Sequence, residues 1–75
     1  MKRVGEVVRT AQGLAIARCP EGSEPEIGTV VIDEGLSEVG RVVDVFGPVS
    51  RPYVAVTPDD RASLPKLLGG KLYAR

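Results

Sequence analysis

Two carboxylate pairs, Asp33-Glu34 and Asp59-Asp60, have the residue types and spacing for acid-base work or for holding a hard cation. Both sit beside turn formers, where acidic side chains commonly accept hydrogen bonds from nearby backbone, so both read as turn residues. The 75-residue chain has no histidine and one cysteine. Ser-His and Cys-His nucleophile pairs are therefore excluded, and a zinc site would have to be built from carboxylates alone. Cys19 has no partner for an internal disulfide and reads as a small apolar filler. Gly69-Gly70-Lys71 is followed by Leu72 rather than Ser or Thr and lacks the upstream glycine of a phosphate loop. No catalytic residue, metal or cofactor is expected, and the chain reads as a non-enzyme.

Asp44 is the one acid embedded in the central apolar run. If buried it needs Arg41, Arg51 or local backbone amides as partners, which suits an architectural or interface role. Phe46 and Tyr53 are two of only three aromatic residues. Aromatics on open sheets stack bases, but the cations close to these two in sequence are only Arg41 and Arg51, so they read as hydrophobic anchors. Ten basic residues balance ten acidic ones. No net field draws the chain to a phosphate backbone, which disfavours autonomous nucleic-acid binding.

These side chains must be positioned by the stretch Val39 to Val56, which reads as a hairpin of two apolar, β-branched runs. Gly47 and Pro48 break the first run, and Pro52 cannot donate a ladder hydrogen bond, so the return strand is expected to start at Tyr53. With Val43 and Val45 turned to the core, alternation leaves Val42 and Phe46 outside, beside Pro48, Val49 and Tyr53. An outward apolar cluster of that kind marks a partner surface. Surface scaling gives such a chain about 4,400 Å² exposed when folded, so an interface of about 800 Å² would cover nearly a fifth of it.

Upstream, residues 3–9 read as a first strand in which Gly5 marks a bulge or a close backbone approach, and residues 10–13 as a turn. Residues 14–19 form a second strand, with Leu14 and Ile16 on one face and the small Ala15 and Ala17 on the other. Pro20 opens a polar loop, and residues 27–32 form a third strand, ended by Asp33-Glu34-Gly35. No basic residue lies between Glu21 and Glu38, so that side is expected to be acidic. Downstream, residues 59–68 hold one short helical turn, with Ser63 near its cap and Pro65 in its first turn. Gly69-Gly70 leads to a last strand at residues 71–74 that pairs with an earlier one and reduces the exposed edges. The spacing predicts an all-β fold, a small closed barrel of about six strands forming a single domain over residues 1–75.

The run from Gly40 to Val56, with its Asp-Val-Phe-Gly-Pro-Val block and Pro-Tyr-Val, resembles the signature of the Gar family, the barrel subunit of H/ACA ribonucleoproteins that guide RNA pseudouridylation. The late Gly-Lys-Leu-Tyr at Gly70 to Tyr73 and the early Arg3-Val4-Gly5-Glu6-Val7 strand extend the resemblance over nearly the whole chain. It implies a barrel similar to the second domain of translation elongation factors, and a non-catalytic accessory role. The implied partner is the catalytic domain of a dyskerin-type pseudouridine synthase, with guide RNA reached only through the complex. Through a mobile loop near that enzyme's active site, the subunit would promote substrate loading and product release during rRNA modification. The implied interface residues are Val42, Phe46, Gly47, Pro48, Val49, Pro52 and Tyr53.

The chain lacks the glycine- and arginine-rich tails of nuclear members, so it resembles the compact archaeal form, and a cytoplasmic rather than nucleolar location is expected. Met1-Lys2-Arg3 leads straight into a strand pattern rather than a signal sequence, and no apolar run approaches the roughly 20 residues of a spanning helix, so no membrane partner is expected. Two rival readings are a small RNA-binding barrel in ribosome maturation and a fragment of a split-barrel enzyme that binds flavin or phosphate. The first predicts salt-dependent RNA binding; the second has no phosphate-cradling loop to support it.

Overall fold

The computed structural model describes residues 2–75. Met1, which begins the Met1-Lys2-Arg3 lead and the expected 1–75 domain, lies outside the described residues. Six strands close into an antiparallel barrel: β1 (Lys2–Ala11), β2 (Leu14–Arg18), β3 (Val30–Ile32), β4 (Glu38–Phe46), β5 (Tyr53–Pro58) and β6 (Lys71–Ala74), in the order β1-β2-β5-β4-β3-β6. The last strand pairs with both β1 and β3, and this closure leaves no open sheet edge. A 3-10 turn (Arg61–Ser63) and one helical turn, α1 (Leu64–Leu67), link β5 to β6. Ser63 is the N-cap residue of α1, Pro65 stands in its first turn, and Leu64 and Leu67 pack against the core.

The barrel interior is narrow, and its residues are small. Ala15, Ala17 and Cys19 from β2 and its end meet Val7, Val31, Val42, Val54, Val56 and Leu72, all nearly or wholly buried. On β2, then, the small side chains of the alternating pattern line the interior, where there is no room for leucine or isoleucine at every inward position. Ile16 points the other way and is still buried.

Four pairings between strands shift register, and these shifts explain why the alternation is imperfect. In β1, between Val7 and Arg9, an extra residue sends Val7 into the core and leaves Val8 outside, 44% exposed. In β4, between Val42 and Asp44, the same device buries Val42 to 1% and turns Val43 out at 41%. A third shift, in β1 against β6, falls between Arg3 and Gly5, and a fourth, in β3 against β4, between Val31 and Ile32. A Cβ on Gly5 would lie 2.5 Å from the Arg18 carbonyl oxygen, so Gly5 is both a bulge position and a close approach.

The third strand is shorter than the 27–32 run suggests. Gly28 takes φ +93°, which breaks the extended backbone, and Ile27 is exposed. Its neighbours are nonetheless tied down, because Gly28 N–H donates to the Val42 carbonyl and Val42 N–H to the Thr29 carbonyl. The polar loop before it is pinned to the β4–β5 turn by a bond from Gly22 N–H to the Ser50 carbonyl.

Candidate protein-docking face at the β4–β5 turn

The turn between β4 and β5 projects apolar groups into solvent. Val49 is 94% exposed, and Gly47 and Pro48 beside it are exposed too. At the base of the turn Phe46 and Tyr53 are direct cross-strand partners, their rings stacked with centroids 5.7 Å apart and planes 15° from parallel. Phe46 remains 38% exposed and Tyr53 is half-buried, so the pair offers a ready-made flat apolar surface. A shallow groove of about 470 Å³ lies between them and Val8 and Arg9 of β1.

Two expected members of this face do not belong to its surface. Val42 is in the core, because the β4 bulge shifts the alternation by one and puts Val43 outside in its place. Pro52 is buried as the chain re-enters the barrel, where its carbonyl accepts a hydrogen bond from Cys19 N–H. The structure therefore gathers Phe46, Gly47, Pro48, Val49 and Tyr53 on one exposed face, and Val43 lies outside the barrel on the same strand. The expectation that Val43 points inward is reversed; Val45, partly buried against the core, faces as expected.

Asp44 is exposed, not buried, and needs neither Arg41 nor Arg51. Its carboxylate accepts a hydrogen bond from Val45 N–H at 2.8 Å and so serves the backbone of the bulge. Asp33 and Asp60 are also backbone acceptors: Asp33 takes Gly35 and Ser37 N–H, and Asp60 takes Ala62 N–H. Among the described residues no group of three or more His, Cys, Asp or Glu could hold a metal ion, and no helix is long and apolar enough to cross a membrane. Cys19 is fully buried, and burial pushes its thiol pKa up.

Sequence reasoning missed the cations that the fold brings to this face. Glu6, Arg18, Tyr53 and Phe46 form one cross-strand row over β1, β2, β5 and β4, and two rows on Arg9 stands opposite Ile16 in a row that also holds Ala55 and Asp44. Arg3, Arg18 and Arg51 line a second groove of about 230 Å³ beside the first. Only Arg51 of these is close to the rings in sequence; the others arrive through strand pairing. Among the described residues Arg9, Arg18 and Arg51 form no ion pair, whereas Arg3 lies 4.0 Å from Glu6.

The family described as "Gar1/Naf1 RNA binding region" matches residues 1–75. An uncharacterized protein of Methanocaldococcus jannaschii is 44% identical over 50 residues, which cover 67% of this chain and 58% of that protein. The chain thus spans less than two thirds of that relative's length.

Proposed function

The chain belongs to the Gar1/Naf1 family of non-catalytic, RNA-binding accessory proteins of H/ACA ribonucleoproteins, and from that premise we propose that it docks on the catalytic domain of a dyskerin-type pseudouridine synthase. Its role there is to promote substrate loading and product release during rRNA modification, in the cytoplasm. The docking residues are Phe46, Gly47, Pro48, Val49 and Tyr53. The observation that carries this reading is the solvent-exposed apolar turn on a stacked aromatic base. In a chain this small, a valine 94% exposed beside an exposed proline and phenylalanine has no role in the barrel's own core, and such a patch marks a contact site.

The face suits a protein anchor better than a substrate pocket. It is convex at the turn and shallow at the rings, whereas sites that bind small molecules are concave and enclose their ligand. Aromatic side chains at the centre of an interface supply most of its binding energy, so the ring pair is the expected hot spot. The test is calorimetric titration of the purified chain with its cognate synthase: saturable one-to-one heat supports the reading, and no heat overturns it.

A further inference from the structure

The barrel wall beside the docking turn carries a charge pattern that the synthase reading does not use. Along one outward row, Arg9 of β1 stands opposite Ile16 of β2, Ile16 opposite Ala55 of β5, and Ala55 opposite Asp44 of β4. Ile16 and Ala55 lie outside the core cluster, whereas Ala15, Ala17, Val54 and Val56, which alternate with them, belong to it. The row therefore runs cation, two apolar residues, anion. Three strand spacings, about 14 Å, hold its ends apart within one chain. Arg9 and Asp44 are both exposed, and neither forms an ion pair among the described residues. Beside this row runs the groove walled by Val8 and Arg9 on one side and by the Phe46 and Tyr53 rings on the other.

We infer that this wall is a self-complementary contact for a second copy of the chain, with Arg9 of each copy against Asp44 of the other across a twofold axis that runs along the strands between β2 and β5. A twofold contact uses the same patch on both copies, so each residue meets its counterpart's partner reciprocally. That axis exchanges β1 with β4 and β2 with β5. It brings the Phe46 and Tyr53 rings of one copy over the Val8 and Arg9 wall of the other, where an arginine can lie on an aromatic face. In the neighbouring outward row it sets Arg18 against Tyr53 and Glu6 against Phe46, so no like charges meet in either row. An axis across the strands would instead set Arg9 on Arg9 and Asp44 on Asp44, so charge selects the first arrangement. The wall is about 19 Å wide on a molecule of 31 × 26 × 21 Å, and total burial stays below the roughly 1,200 Å² of a standard interface. The dimer is accordingly weak. Because it covers Phe46 and Tyr53 it excludes the synthase, which would dock on the monomer; the inference itself does not depend on that docking.

The test is sedimentation equilibrium of the purified chain from about 10 µM to about 1 mM, a span that brackets a dissociation constant on the order of 100 µM for so small a contact. A monomer-dimer isotherm is expected. Arg9→Glu puts two repulsions in place of two attractions and is expected to weaken dimerisation roughly tenfold. Asp44→Asn keeps an oxygen for the Val45 N–H while removing the charge, and is expected to weaken it about threefold. An equimolar mixture of Arg9→Glu and Asp44→Arg is expected to form a mixed dimer as tight as the parent's, because both crossed pairs are then attractive, while each variant alone is weakened. Circular dichroism confirms that every variant is folded. A chain that stays monomeric over that range overturns the inference, as does a dimer that folded Arg9→Glu and Asp44→Asn leave unchanged. If the chain is monomeric and folded Arg9→Glu loses affinity for the synthase, the wall belongs to that partner and the inference is likewise overturned. A charge-sensitive dimer that gives no heat with the synthase supports the inference and overturns synthase docking alone.

Discussion

A Cβ on Gly47 would lie 2.9 Å from Cδ1 of Tyr53. The missing side chain is what lets the Tyr53 ring lie over the turn, and φ +88° at Gly47 bends the chain away from Phe46 so that the two rings can stack. Gly47 therefore shapes the face without contributing a side chain to it. Gly47→Ala combines positive-φ strain with displacement of the ring. It is expected to cost about 1–2 kcal/mol in thermal unfolding and to weaken synthase binding measured on the folded variant.

Gly40 is under a harsher constraint. A Cβ there would overlap the Thr57 carbonyl oxygen, with Pro58 Cα and the Thr57 carbonyl carbon each 2.9 Å away. All are backbone atoms of β5, which cannot swing aside as a side chain can. Gly40→Ala is expected to destabilise the barrel by about 3 kcal/mol or more, read as a large fall in Tm.

The β4 bulge makes neighbouring valines unequal. Val42→Ala opens a cavity in the core and is expected to cost about 2 kcal/mol, whereas Val43→Ala and Val49→Ala should stay within about 0.5 kcal/mol. Denaturant melts of the three variants check the assignment of faces directly. A larger cost at 43 than at 42 would show that strict alternation with Val43 turned inward, not the bulge, describes the strand.

Cys19 links stability to alkaline pH. Burial holds its folded pKa above the unfolded value, so below about pH 8.5 both states keep the proton and nothing is lost. Above that pH the unfolded thiol ionises first, the unfolded state binds fewer protons, and stability falls until the folded pKa is reached. Cys19→Ala is expected to remove this alkaline slope from pH-dependent melts, and native Cys19 to react with iodoacetamide only as fast as the chain unfolds.

Much of the fold could be read from residues whose chemistry is local. Pro52 placed the start of the return strand at Tyr53, Gly5 signalled a bulge or a close approach and proves to be both, and Ser63 and Pro65 marked the helical turn. In the turn that the resemblance singles out, Phe46, Gly47, Pro48 and Val49 are exposed and Tyr53 is half-buried. The choice between two adjacent valines was not legible. Val7-Val8 and Val42-Val43 are chemically identical pairs, and only cross-strand register decides which member is bulged out. Nor was the cationic surround visible, because Arg18 comes opposite Tyr53, and Arg9 comes to the groove beside the rings, through pairings distant in sequence.

The central claim is that the stacked pair anchors a dyskerin-type synthase, and Phe46→Asp tests it most directly by calorimetric titration against that enzyme. The parent chain is expected to bind one-to-one, and the variant to keep its circular dichroism spectrum while losing about 2–4 kcal/mol, a weakening of roughly 30-fold or more. A folded variant that binds as well as the parent, or a parent chain that gives no heat with the synthase, would contradict it.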